Sequence, residues 1–496
     1  MNPRRRGPLS KRVRHAARSV LCLSALAAIS ATAPVAAASR GGPVHVALRS
    51  STPASNDTLT TAPHRIRLDF TQAVEVPLAR IELFGADSGT IALAPARAAD
   101  TTDRAIVTDV PSTLGAGTYR VHWTVTSRDS HTIRGDFLFT VLAPAADTTV
   151  VAALDADTVP ATAPLDTTSD PVARGEFDAR SPAYAAIRGL TYVGILGIAG
   201  ALFFGVGVVP SVQRRLAPEA AADREALERA LSRARVGAIG AGTLLLLAGA
   251  LRLLAQVRAV FGELTLDWAT ISPLLADTAW GRGWIAQMCA AAVALGVVAR
   301  RSDLRRDGRV GPIGIAAGLV LLTLVVSAAV SGHAVAASPM YLAVMADAVH
   351  LLAVGGWLGT LAYVAFAGIP ATNAADPDSR PRLARDIVTT FSNIALVCVA
   401  AILATGVVSS WLELRSVSAL WTSSYGRMLM LKLVLVALVG AAGAYNWRVA
   451  TPRLAATGGI ARIRTVMIAE LLFAVLVLCA TVVLTATPPP IDMRLG

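Results

Sequence analysis

Two periodicities divide this chain. Between Val44 and Leu142 apolar and polar positions alternate: Ile66, Leu68 and Phe70 with Arg65, Arg67 and Asp69, and Tyr119, Val121, Trp123 and Val125 with Arg120, His122, Thr124 and Thr126. A period of two puts one set of side chains on each face of a strand. The runs are broken by Pro, Gly and Asp at intervals of about 8–12 residues, which predicts an all-β sandwich or barrel with one modest core. Further along the alternation gives way to eight apolar segments at roughly 187–209, 236–257, 280–299, 312–331, 342–366, 387–411, 429–447 and 465–486. Each is long enough, or nearly so, to cross a hydrocarbon layer about 30 Å thick, which predicts an all-α eight-helix transmembrane bundle over 187–486. Residues 143–183 follow neither period; rich in Ala, Thr, Pro and Asp, they read as a solvated linker.

The amino terminus has a third pattern. Arg4, Arg5, Arg6, Lys11, Arg12, Arg14 and Arg18 precede a short apolar run, Val20 to Ile29, and then Ala36-Ala37-Ala38. A basic region, an apolar region too short to span a bilayer and a small-residue site make a secretory signal over 1–38, cleaved after Ala38. Arginine in the loops sets the orientation. The loops 210–235, 300–311, 367–386 and 448–464 carry 18 arginines, whereas 258–279, 332–341, 412–428 and 487–496 carry 4. The first set belongs inside, which puts the β domain and the carboxyl terminus outside, in agreement with the signal.

Composition narrows the classes. The 496 residues are 54% hydrophobic and 16% charged, with mean hydropathy +0.57, which excludes an ordinary soluble protein. The net charge of +12 suggests nucleic acid at first sight. Seven of the basic residues lie in the signal and most of the other arginines in short loops, so no polynucleotide partner is expected. The β region has no cysteine and needs no disulfide. Cys289, Cys398 and Cys479 fall singly in three helices and read as packing residues.

Seven histidines mark the candidate chemistry. Asp129-x-His131 places a carboxylate beside an imidazole at a strand end, and a further histidine would complete a nitrogen/oxygen site suited to Cu(II). His64 and His122 read as solvent-exposed. His350 lies roughly 12 Å below the outer end of the fifth segment, with Asp347 three residues earlier on the same helical face. Ionisable groups at that depth usually face a bundle interior or a pathway. His333 follows the fourth segment, and Met340, placed in the outer loop, offers a soft sulfur for Cu(I). Met345 is about 200° around the helix from Asp347, on another face. Arg252, Lys432 and Glu470 lie near helix ends, within reach of the interface by snorkelling.

These residues carry a resemblance. His45-Val46-Ala47-Leu48-Arg49-Ser50-Ser51-Thr52-Pro53-Ala54, the strand from Leu68 to Glu75, Gly117-Thr118-Tyr119-Arg120-Val121-His122-Trp123 and the Asp129-x-His131 turn resemble the periplasmic copper-binding CopC family. Ser331-Gly332-His333-Ala334, Asp347-x-x-His350 with Gly355-Gly356-Trp357-x-Gly359, and Tyr425-Gly426-Arg427 leading to Lys432 resemble CopD. The order matches CopC–CopD fusions over about 44–486. The resemblance implies a CopC-like sandwich over 44–142, Ig-like or cupredoxin-like in its Greek key, that holds Cu(II) through His45, Asp129 and His131. Two departures bear on that site. Cleavage after Ala38 leaves six residues ahead of a histidine that is the mature terminus in the family, and Gln72 stands where the family often has a glutamate. The methionine-rich Cu(I) site of some relatives is absent, since 44–142 contains no methionine.

The function expected is copper homeostasis at a bacterial inner membrane. The β domain would capture Cu(II) outside, and His333, Met340, Asp347 and His350 would relay Cu(I) or Cu(II) through the bundle. Uptake is the expected direction, with a resistance role as the other. Copper ions, the bilayer and periplasmic copper chaperones are the expected partners. No enzymatic activity is expected, and the absence of a GxxxxGK[ST] loop leaves transport to a gradient or another partner. The rival readings are a membrane oxidoreductase that binds haem or reduces copper, and a copper sensor with an inert anchor. Bis-histidine haem needs two facing histidines in the bilayer, and only His350 is deep.

Overall fold

A computed structural model describes residues 46–85, 89–111, 114–127, 132–143, 181–262, 264, 266–299, 305–306, 309–332, 334, 339–414, 417–445, 448 and 459–486. The chain divides into two compact units, one holding the β domain together with Val257–Thr278, the other the remaining helices.

The β domain is a two-sheet sandwich built from β1 (Leu48–Thr52), β2 (Asp57–Leu59), β3 (Arg65–Phe70), β4 (Arg80–Phe84), β5 (Thr90–Ile91), β6 (Arg97–Ala98), β7 (Ala105–Asp109), β8 (Gly117–Thr126) and β9 (Thr132–Val141). One sheet has the order β1-β3-β7-β6 and the other β2-β9-β8-β4-β5. The pairs are antiparallel except β2 with β9, which is parallel. The predicted alternation is what fills the space between the sheets. Ile66, Leu68 and Phe70 of β3 meet Tyr119, Val121, Trp123 and Val125 of β8 and Phe137 and Phe139 of β9 in one core. The Trp123 indole lies edge-on to Phe70 at 5.5 Å. Gly135 is the partner of Trp123 across the β8–β9 ladder, and a Cβ there would come within 2.5 Å of the indole. Glycine lets the ring lie flat on the neighbouring strand, so the largest core side chain fits without parting the sheet. The Tyr119 hydroxyl donates to the Gly115 carbonyl at 2.8 Å, tying the loop before β8 to the strand.

Charged side chains organise the opposite face of the first sheet. Asp109 accepts from Arg97 Nη1 at 2.7 Å and from Arg65 Nε at 2.8 Å, a clamp over three strands. The two guanidiniums, Arg97 first, hold its carboxyl down at about 2.

Eight helices are long and apolar enough to cross a membrane: α1 (Pro182–Gln213), α2 (Ala221–Phe261), α3 (Ala279–Val298), α4 (Ile313–Val330), α5 (Met340–Ala374), α6 (Arg380–Leu412), α7 (Ser424–Tyr445) and α8 (Ile460–Thr485). α1 starts at an N-cap, where the Ser181 hydroxyl accepts from the Tyr184 amide and Pro182 takes the first turn. Several helices run past the apolar segments. α2 begins fifteen residues before the expected 236, because Ala226, Leu227, Ala230 and Ala234 form a narrow buried stripe on an otherwise charged helix. Its buried Asp223 accepts from the Ser379 hydroxyl at 2.6 Å. Met340, expected in a loop, is the first residue of α5, behind an extended Pro339.

The α1–α5 contact has almost no side chain in it. A Cβ on Gly359 would lie 2.2 Å from the Leu196 carbonyl oxygen, and one on Gly200 would lie 2.2 Å from the Gly359 carbonyl carbon. Two glycines therefore bring the backbones together, as small residues do between helices in lipid, where burial itself gives little drive. Over Gly355–Gly359 and Val364–Gly368 α5 is π-helical. A π-turn widens the helix by one residue, and such turns often accompany functional segments.

Candidate functional site: the α5–α6 face

Asp347 and His350 lie two to three turns into α5 and face α6. The His350 Nδ1 is 2.9 Å from the Thr405 hydroxyl oxygen. That hydroxyl has one hydrogen, and it is directed to the Ala401 carbonyl at 2.7 Å. We therefore assign the bond as Nδ1–H donating to Thr405, which leaves Nε2 as the unprotonated nitrogen. One turn along, the Ser409 hydroxyl donates to Asp347 Oδ1 over a long 3.4 Å. Spacing explains the match: residues three apart on α5 meet residues four apart on α6. Gly406 leaves room for the imidazole, whose Cε1 is 4.0 Å from where a Cβ would stand. Lys432 of α7 is near enough to act electrostatically on His350. Both Asp347 and His350 are half-buried, within a span that is more buried than any of the other seven.

This arrangement is a two-group polar face rather than a closed metal cage. An imidazole fixed in one tautomer by a hydroxyl presents a single good donor atom, and a carboxylate stands one turn away. Among the described residues no group of three His, Cys, Asp or Glu side chains converges as a metal site. Met340 is two turns before Asp347 on nearly the same face and half-exposed. Met345 is exposed, on the other side of the helix. His45, Asp129, His131 and His333 lie outside the described residues.

Three features were not legible in the sequence. Thr405 and Ser409 complete the face, but their pairing with α5 crosses more than fifty residues and leaves no spacing signal. His122, read as solvent-exposed, is only part-exposed and sits 2.9 Å from Asp136 across β8 and β9; the strand alternation places it outward but cannot show its neighbour. Arg252 and Glu470 do not snorkel: both are buried, at 5% and 1% exposed. The CopD-like glycines, in contrast, have a packing role. Gly355 and Gly356 meet Ala199 of α1 and Cys398 of α6, and Gly359 makes the backbone contact with Gly200.

A β-sandwich followed by eight apolar helices defines a class of multi-pass membrane proteins that carry a β domain. Three family models match in order along the chain: the CopC domain over residues 48–142, the copper resistance protein D-like N-terminal domain over 178–341, and copper resistance protein D over 384–484; Asp347 and His350 fall between the last two. The chain belongs to this copper transport and resistance family, with a CopC domain followed by the two CopD parts in one polypeptide. It is homologous to the copper transport protein CutJ of Bacillus subtilis (strain 168), 24% identical over 455 residues, which cover 90% of this chain and 74% of that protein. Its β domain is 35% identical over 105 residues to copper resistance protein C of Escherichia coli, covering 20% of this chain and 81% of that protein. Among solved structures, PcoC, a methionine-rich copper resistance protein from Escherichia coli, matches with 34% identity, 20% of this chain, 98% of that chain and a TM-score of 0.18.

Proposed function

We propose that this protein carries copper across a bacterial inner membrane, inward. In this reading 1–38 is removed on export, and the domain 44–142 captures Cu(II) outside through His45, Asp129 and His131. The linker 143–183 lets that domain deliver copper to an outer vestibule at His333 and Met340. From there Asp347 and His350 relay the ion along the α5–α6 face of the 187–486 bundle. The observation that supports the route best is the hydrogen bond between His350 Nδ1 and Thr405, inside a candidate membrane span of a chain in a copper transport family.

Nε2 accepts the metal, Asp347 balances its charge, and Met340 offers sulfur should copper enter as Cu(I). Copper is substrate here, so the site needs to bind it weakly enough to release it. The haem reading needs a second histidine facing His350; the other histidines among the described residues, His64 and His122, belong to the β domain. The test is copper accumulation in cells expressing wild type or His350→Ala at equal membrane abundance. Accumulation at the vector-only level in the variant supports the relay, and wild-type accumulation rejects it. Capture is tested by EPR of the full chain titrated with Cu(II). One equivalent with nitrogen hyperfine structure, lost in His45→Ala and His131→Ala, supports the β-domain site, and spectra unchanged by both substitutions reject it.

A further inference from the structure

The helical unit holds a second polar centre, on α2 and α3. Arg252 lies about nine residues, roughly 13 Å, from the end of α2 and is 5% exposed. Its Nη2 donates to the Ser331 carbonyl at 2.9 Å, and its guanidinium lies 5.6 Å from the Trp280 ring centre. No described carboxylate pairs with it, and its Nε–H has no partner. Gln256, one turn along the same face of α2, is fully buried. Its Oε1 accepts from the Tyr184 hydroxyl, and its Nε2 amide hydrogens have no partner. The Trp280 Nε1–H is buried and without a partner too.

A buried cation without a counter-charge is costly, and so is each buried donor without an acceptor. At Arg252, Gln256 and Trp280 the deficits share one sign: a single positive charge and three kinds of N–H, on residues within one turn or one ring contact of each other; Gln287, two turns further along α3, has both its amide oxygen and nitrogen without a partner. Donors cannot ligate a metal ion, and the guanidinium repels one. We propose that Arg252, Gln256 and Trp280 form a binding site for a small monoanion, a halide or a small carboxylate, seated among the ends of α1, α2, α3 and α4. The anion accepts from Arg252 Nε, Gln256 Nε2 and Trp280 Nε1 and neutralises the guanidinium. The proposal is independent of the copper route, which runs along α5 and α6.

The test uses the full chain in nanodiscs of zwitterionic lipid, at constant ionic strength, with sodium gluconate exchanged for sodium chloride or sodium formate. Thermal midpoint is followed by intrinsic fluorescence. The site predicts a saturable rise in midpoint with chloride or formate concentration. Trp280→Phe keeps the ring and deletes one donor, so its half-saturating anion concentration should rise roughly tenfold. Arg252→Met should lose the dependence altogether. A wild-type midpoint indifferent to both anions would overturn the proposal, since ordered water would then satisfy these donors. A saturation curve unchanged in Trp280→Phe would overturn it as well.

Discussion

The tautomer of one histidine is the smallest feature on which the copper route depends. In the proposed route the bond from Nδ1–H to Thr405 orients the imidazole and keeps Nε2 as the nitrogen offered to the metal. Thr405→Val keeps the shape and removes the acceptor, and it should lower copper flux in proteoliposomes by about tenfold with wild-type yield and melting behaviour. Thr405→Ser should restore most of the flux. Equal flux in threonine and valine forms would show that the imidazole needs no such anchor. Asp109 makes a residue-scale prediction of another kind. Arg97 and Arg65 depress its carboxyl to about 2, so the clamp contributes stability above the ordinary aspartate value of about 3.9 and loses it as pH falls toward about 2. Circular-dichroism melts of the isolated β domain should therefore show a fall in stability between those values. In Asp109→Asn the fall should flatten, with lower stability at neutral pH.

At the scale of elements, close approach decides more than propensity. Trp123 fits because Gly135 faces it, and Gly135→Ala should destabilise the β domain by about 1–3 kcal/mol, read from the same melts. Gly359→Ala drives a methyl into the Leu196 carbonyl, so α1 and α5 must part and the helical unit should melt several degrees lower. The sequence shows these elements unevenly. β3 and β8 were plain because each alternates strictly, and their inward residues are the core. The extension of α2 back to Ala221 was hidden because its buried stripe is mostly alanine on a charged helix. The π-turns of α5 were hidden too, since a change of helical register has no residue preference strong enough to read. Asp347 and His350 could be singled out by depth alone. Their partners Thr405 and Ser409 could not, because only packing brings α6 to α5.

On the scale of the whole molecule, the apolar spans and the arginine bias make a topology that can be checked without copper. Eight spans with arginine-rich loops inside would put 412–428 outside and 367–386 inside. In intact cells, a membrane-impermeant maleimide should label Ser418→Cys and leave Asp378→Cys unlabelled until the cells are opened. Both positions are exposed, so access alone is not the difference. The reverse pattern would invert the bundle and turn the proposed capture domain toward the cytoplasm. Family membership makes copper the ion to test, whereas direction and route rest on the α5–α6 face.

One measurement reaches that claim most directly. Purified full-length protein in liposomes with a copper-sensing dye inside is given external copper, with wild type, His350→Ala and Asp347→Asn compared at equal reconstitution. The account predicts time-dependent entry for wild type, entry at the protein-free rate for His350→Ala, and a reduced rate for Asp347→Asn. Entry through His350→Ala at the wild-type rate would contradict it.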